Sequence, residues 1–113
     1  MTGPERIEEL RGSIDGLDRQ ILALLAERTR VVMELTEYKR DEETVRSPGR
    51  VEQVIAKVRA LADESGMPPD IAEATYRTLI SELTALQMKR LAERRAAAAQ
   101  SVARESRVRE GGA

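Results

Sequence analysis

The sequence has no cysteine, histidine, phenylalanine or tryptophan, and only two of its 113 residues are tyrosines. Without cysteine, disulfides and thiolate metal ligands are excluded, and without histidine so are imidazole zinc sites, His-based triads and histidine acid–base catalysis. A core without large aromatic rings is built from Leu, Ile, Val, Met and Ala. Because a thin aliphatic core is marginal in a small helical chain, this composition favours an oligomer.

An excess of charge of one sign is also absent. The 19 basic and 20 acidic residues give a formal net charge of −1, and Glu93, Glu105 and Glu110 interrupt the arginines near the C-terminus. The balance gives no electrostatic reason to expect a nucleic-acid partner. No apolar run approaches the roughly 20 residues of a membrane span, and nothing resembles a signal peptide. We therefore expect no membrane partner and a cytoplasmic location.

A helical period is what the sequence does have, and it predicts an all-α fold of three helices with a long first helix. Apolar residues recur at spacings of three and four from about residue 4 to about residue 40: Ile7, Leu10, Ile14, Leu17, Ile21, Leu24, Val31, Leu35 and Tyr38. Such a helix would be about 50 Å long, too long for a compact chain of this size. The economical partner is a second copy, so we expect a homodimer.

The rest of the chain divides into a connector, two further helices and a tail. The connector DEETVRSPG (41–49) offers Ser47 as a cap and Pro48 as the first residue of the second helix, which ends near Ser65-Gly66. The third helix starts near Asp70, and its apolar stripe stops near Leu91. We therefore predict a helical domain over residues 1–92 and a frayed or disordered C-terminal tail over residues 93–113.

Four polar side chains lie on faces that should be buried. Arg28 fills the one gap in the first helix's seam, and Lys39 follows eleven residues later, about 20° away around the axis and roughly 16 Å along it. The two cations could hold one small dianion between them. Arg11 lies about 25 Å below Arg28, so only a second chain's Arg11 could join them. Gln87, four residues after Leu83, places an amide on the inward face of the third helix.

Arg28 and Gln87 each also have an ordinary structural explanation. Arg28 alone is more typical of a snorkelling side chain or an intersubunit ion pair with Glu34 or Glu37. Gln87 alone is more typical of an interhelical hydrogen bond. The combination of two cations on one face, a third from a partner and an inward amide is what favours a ligand site.

These residues resemble the first helix of the all-helical chorismate mutases. The pattern is Leu-Arg at 10–11, Ile14-Asp15, Leu17-Asp18, LLAER at 24–28 and then Lys39. The stretches VRSPGRVEQVI and YRTLISELTALQ are similar to the starts of that family's second helix and to its third helix. The resemblance spans about residues 6–90 and implies an intertwined helical homodimer with two equivalent sites.

The resemblance also implies a reaction and a role for each residue. The reaction is the Claisen-type [3,3] rearrangement of chorismate to prephenate in aromatic amino acid biosynthesis, and it uses no metal or cofactor. Arg28 and the second subunit's Arg11 would hold the two carboxylates of the dianionic substrate, and Arg50 would support the carboxylate end. Lys39 and Gln87 would flank the ether oxygen that leaves the ring, so that they act on the transition state.

Three positions depart from the family pattern and leave the substrate open. Val51 stands where most members have an acidic residue that grips the ring hydroxyl, Ser47 replaces a common Asp, and Leu83 replaces a small hydroxyl residue. Isochorismate–pyruvate lyases and 4-amino-4-deoxychorismate mutases share a similar Pro-Xaa-Arg-Val stretch, so their substrates are alternatives. A non-catalytic helical dimer with a decayed site is a further alternative.

Overall fold

The computed structural model describes residues 2–111, and all their regular structure is helical. The helices are α1 (Gly3–Thr36), α2 (Glu42–Arg46), α3 (Pro48–Ser65) and α4 (Pro69–Gly111). The three long helices confirm the all-α prediction, and the five-residue α2 lies within the predicted connector. None of the helices in the described range is long and apolar enough to cross a membrane.

Helix α1 begins with reciprocal capping and ends earlier than predicted. The backbone N–H of Glu5 donates to Thr2 Oγ1 and that of Thr2 donates to Glu5 Oε2, each at 3.2 Å, which satisfies two donors that a helix start leaves open. The helix stops at Thr36 rather than near Arg40. Residues 37–41 form a turn and an extended segment before α2.

The chain divides into two units, residues 2–34 and 35–111, and the first unit is a single helical segment. Its apolar seam is largely open in the single chain. The side chains are between 44% and 64% exposed: Ile7, Leu10, Ile14, Leu17, Ile21, Leu24 and Val31. A row of seven such side chains along one helix is a surface that favours association with another apolar surface.

The second unit is assembled from α2, α3 and α4. Ser47 both ends α2 and precedes α3; it has a left-handed φ of +32° and makes no side-chain cap, while Pro48 opens α3 as predicted. Gly66 ends α3 with φ +75°, and the N–H of Met67 donates to the carbonyl of Ala62 at 2.9 Å. A helix that ends with this hydrogen bond needs a residue that tolerates positive φ at position 66, which explains the glycine there.

The core of the second unit lies between α3 and α4. Its buried apolar side chains are Val45, Ile55, Val58, Ala62, Leu83 and Leu91. Leu61 and Leu86, on the same two helices, are 52% and 42% exposed in the single chain. The apolar stripes are therefore wider than the surface that this unit buries on its own.

Helix α4 is longer than its apolar stripe. It runs as helix through residues 93–111, and the side chains from Arg95 to Glu110 are exposed. Fraying of this segment in solution stays a prediction, and residues 112 and 113 of the predicted tail lie outside the described residues. The partial burial of Arg94 shows that the packed face continues past Leu91, where the apolar pattern stops.

Candidate active site

Gln87 is the centre of a buried polar cluster in the second unit. Its side chain lies on the core-facing side of α4 with Leu83 and Leu91, and it is 6% exposed. Its Oε1 accepts a hydrogen bond from Thr36 Oγ1 at 3.0 Å and another from Lys39 Nζ at 3.1 Å. Both lone pairs of the amide oxygen are thus engaged. Because the Lys39 ammonium can only donate, the Gln87 oxygen faces it and the amide nitrogen points away from Lys39, with its N–H groups as donors.

Lys39 reaches this cluster from a turn rather than from a helix. The backbone N–H groups of Tyr38 and Lys39 donate to the carbonyls of Leu35 and Thr36 at 3.1 and 3.0 Å, which closes the turn after α1. The predicted angle of about 20° between Arg28 and Lys39 assumed that one uninterrupted helix carries both residues. Because α1 ends at Thr36, before Lys39, that prediction is wrong. Partial burial lowers the pKa of the Lys39 ammonium below its ordinary value, because desolvation disfavours the charged form.

The two predicted arginines of α1 lie in the first unit. Arg28 is half-buried. Arg11 is exposed, with 69% of its side chain accessible, and its Nη1 lies 2.8 Å from Glu8 Oε1 one turn away. An exposed ion pair of this kind contributes little to stability, so it presents only a small obstacle to Arg11 binding another anion.

The predicted residues of the connector and α3 surround the start of α3. Arg50 is exposed in its first turn, Ser47 precedes it, and Val51 is half-buried. Val51 and Pro48 line an open groove of about 770 Å³ that also borders Thr84 of α4. Of the two apolar departures from the family pattern, Val51 therefore faces an open groove, whereas Leu83 is buried.

The comparison with known proteins places these residues in a family. Residues 10–88 match the family described as chorismate mutase type II. The chain belongs to the type II chorismate mutases. It is 30% identical over 90 residues to a chorismate mutase of Methanocaldococcus jannaschii, a match that covers 79% of this chain and 91% of that protein. It is 36% identical over 74 residues to the T-protein of Enterobacter agglomerans, covering 65% of this chain but 20% of the T-protein.

All eight predicted site residues lie inside the stretch that matches the chorismate mutase family: Arg11, Arg28, Lys39, Ser47, Arg50, Val51, Leu83 and Gln87. The structure brings Lys39 and Gln87 into contact within the second unit. The roles of all eight stay predictions. Among residues 2–111 no group of three or more acidic side chains is arranged to hold a metal ion.

Two residues that touch this cluster were missed by sequence reasoning, namely Thr36 and Arg94. Thr36 is completely buried, and the only sequence signal for it was its position one residue after the seam residue Leu35. Arg94 lies seven residues after Gln87, which places it on the same face of α4. Its Nη1 donates to the carbonyls of Thr36 and Lys39 at 2.9 and 3.0 Å.

A neighbouring ion-pair group surrounds Glu37. Arg90 donates to both carboxylate oxygens of Glu37, at 2.7 and 3.3 Å, and Arg94 Nε lies 3.5 Å from Glu37 Oε2. The hydrogen bonds from Arg90, together with the charges of Arg90 and Arg94, lower the pKa of Glu37. Glu37 therefore stays ionised well into the acidic range and keeps both arginines oriented.

Proposed function

We propose that the chain catalyses the [3,3] rearrangement of chorismate to prephenate as a cytoplasmic homodimer, an isomerase reaction of aromatic amino acid biosynthesis. The observation that carries the proposal is the Gln87 cluster. The amide oxygen of Gln87 accepts from Thr36 and Lys39, so the amide nitrogen and the adjacent ammonium both remain as donors for a third group. Two converging donors of this kind suit an oxygen atom that gains negative charge.

The bond-breaking and bond-forming step requires no proton donor, nucleophile or cofactor from the chain. In the rearrangement the ether C–O bond breaks while a C–C bond forms between the enolpyruvyl methylene and the ring, and no proton is transferred. Electron density builds on the ether oxygen as the C–O bond lengthens. Lys39 and Gln87 bind this oxygen more strongly in the transition state than in the substrate, which raises kcat. A chain without histidine or cysteine is therefore not disqualified as the catalyst.

The substrate's carboxylates require cations, and we assign them to Arg11 of a second chain, to Arg28 and to Arg50. Two fixed guanidinium groups would hold the flexible enolpyruvyl ether in its folded, reactive conformer. The exposed apolar seam of residues 7–31 supports a homodimer, because such a row of side chains is more stable when covered. Arg11 lies on the same helix as this seam, so in a homodimer it can serve a site in the partner rather than one in its own chain.

A second candidate substrate is favoured by the apolar residues near the start of α3. Val51 is half-buried on the groove and Leu83 is buried, and neither can accept or donate a hydrogen bond to a ring hydroxyl. Isochorismate carries its hydroxyl on a different ring carbon and would lose less at such a site than chorismate does. 4-Amino-4-deoxychorismate stays an alternative because of the Pro-Xaa-Arg-Val stretch, since an apolar site does not favour its amine.

The deciding experiment offers the purified chain each of the three substrates separately and identifies the products. We expect prephenate from chorismate, and the ratio of kcat/KM values ranks the three. Faster turnover of aminodeoxychorismate or isochorismate would replace the substrate but keep the site. No turnover of any of them would leave a non-catalytic helical dimer as the remaining interpretation.

Two pairs of matched variants test the donor pair. Lys39→Met and Gln87→Leu should each lower kcat by about a hundredfold, the usual cost of removing a donor from a developing oxyanion. Lys89→Met and Gln53→Leu are the controls, since they make the same chemical changes at exposed positions. If the controls lose as much activity as the site variants, the loss reflects general damage rather than catalysis.

Mixing two inactive variants tests whether the site is shared. An Arg11→Ala chain keeps Lys39, and a Lys39→Met chain keeps Arg11, so each mixed dimer has one complete site only if Arg11 comes from the partner. Random exchange of subunits should then restore about a quarter of the wild-type activity, because half of the dimers carry one working site of two. No recovery after verified subunit exchange would contradict the shared site.

A further inference from the structure

The position of Lys39 is not explained by the helix that precedes it. Helix α1 ends at Thr36, and Lys39 follows in a turn closed by only two backbone hydrogen bonds. A short turn at a helix end frays readily, and its carbonyls lack helical donors. Something outside the turn must therefore hold the Lys39 ammonium against Gln87.

Arg94 is placed to do this. One nitrogen of its guanidinium, Nη1, donates to the carbonyls of both Thr36 and Lys39, at 2.9 and 3.0 Å. These carbonyls belong to the first and last residues of the turn, and their shared donor fixes the distance between them. A guanidinium charge at the C-terminus of a helix is also favourable to the helix dipole.

Arg94 is itself held in place. Its side chain is 26% exposed, and its Nε lies 3.5 Å from Glu37 Oε2, while Arg90 binds the same carboxylate from one turn earlier in α4. Leu91, between them, is buried in the core. The contacts form a closed ring in which Arg94 binds Thr36 and Lys39, and both of these donate to Gln87.

We propose that Arg94 is a positioning residue for the rearrangement: by bonding the carbonyls of Thr36 and Lys39 it sets the Lys39–Gln87 donor pair. The inference rests on the proposed function, because it assigns Arg94 a part in the same site. The residues that match the chorismate mutase family end at 88, so the working site extends past the matched stretch. It also extends past residue 92, where the sequence predicted the domain to end.

The test uses Arg94→Met, which keeps the length of the apolar stem, and Arg94→Lys, which keeps a charged donor. Arg104→Met is the matched control on the exposed part of the same helix. The first readout is hydrogen exchange of the amides of residues 37–42. We expect about tenfold faster exchange in Arg94→Met, the factor for losing a hydrogen bond from a charged donor, with partial recovery in Arg94→Lys and no change in Arg104→Met.

The second readout is steady-state kinetics with chorismate. Arg94→Met should lower kcat by about ten- to a hundredfold, since a misplacement near 1 Å has effects of this size, while KM changes by less than about threefold. In a Lys39→Met background the same substitution should cost less than about twofold, because the main route from Arg94 to the reaction, through the Lys39 ammonium, has been removed. Circular dichroism confirms that helix content is kept.

The outcomes separate the two proposals. Unchanged exchange, unchanged kcat, or an equal loss of activity in the Lys39→Met background would each overturn the positioning role while wild-type turnover leaves the proposed function intact. If the wild-type chain rearranges none of the three substrates, the proposed function has failed. Faster exchange in Arg94→Met would then show a contact that only stabilises the turn, and the positioning role would fall as well.

Discussion

The substitution Thr36→Val removes the hydrogen bond that Thr36 donates to Gln87. Thr36 is completely buried, and its Oγ1 donates to Gln87 Oε1 at 3.0 Å. Valine has nearly the same shape as threonine, so the change exchanges a hydroxyl for a methyl group without opening a cavity. After the change, Gln87 Oε1 keeps only the hydrogen bond from Lys39.

The size of the effect follows from what remains. A neutral hydrogen bond contributes about 1 kcal/mol net, and the larger penalty of an unsatisfied buried acceptor does not apply because Lys39 still donates to the amide oxygen. We therefore expect the free energy of unfolding to fall by about 1 kcal/mol, which lowers Tm by about 4 °C in a domain of this size. The amide of Gln87 is also less restrained, and a similar loss in the transition state lowers kcat about fivefold.

The assay is thermal unfolding at fixed protein concentration, followed by circular dichroism, together with kcat for chorismate. Thr78→Val is the control, since the Thr78 hydroxyl donates to the carbonyl of Ala74 on an exposed part of α4, and its effect should stay within about 0.5 kcal/mol. Thr36→Ser, which keeps the hydroxyl, should retain kcat. The reasoning is refuted if Thr36→Val matches the wild type in both Tm and kcat, or if Thr36→Ser loses as much activity.

Three further predictions concern the pH profile, the strained connector and the C-terminal helix. Burial lowers the pKa of Lys39, so the alkaline decline of kcat/KM should begin below the ordinary lysine pKa of about 10.4. Lys39→Arg should move this decline to higher pH. The bound dianionic substrate favours the charged ammonium, so the corresponding decline of kcat should also lie at higher pH. Ser47 has φ +32°, where glycine carries no strain and a β-branched side chain carries more than serine. Ser47→Val should therefore lower the urea midpoint and Ser47→Gly should not, with a difference of about 1 kcal/mol in unfolding free energy between the two variants. A chain ending at Ala92 should lose about as much kcat as Arg94→Met, whereas a chain ending at Ala99 should keep wild-type kcat.

Much of the fold was predictable because it depends on local signals. Pro48 opens α3 and Gly66 ends it, and both follow from backbone preferences that act within a few residues. The inward position of Gln87 followed from its spacing to Leu83, since residues four apart share a helix face. Predictions of this kind succeed where one element decides the outcome.

The end of α1 was predicted wrongly because it depends on a distant residue. The apolar seam continues through Leu35 and Tyr38, so periodicity alone extends the helix to Arg40. The structure ends it at Thr36, whose carbonyl accepts a hydrogen bond from Arg94, 58 residues away, as well as from the N–H of Lys39. Such a tertiary cap leaves no mark in the local sequence, and Arg94 itself lies among arginines and alanines that are typical of a solvated helix.

The lack of histidine and cysteine shifts the demands of the proposed site from proton chemistry to position. A pericyclic step requires only that cations and an amide lie at fixed distances from the substrate. A small displacement of one of these groups, rather than a shifted pKa, is then the main way in which activity is lost. Lysine on a turn is a poor choice for such a task unless the turn is held from outside. The bonds from Arg94 to the carbonyls of Thr36 and Lys39 meet that need, and they explain why the packed face of α4 continues beyond the last residue of its apolar stripe.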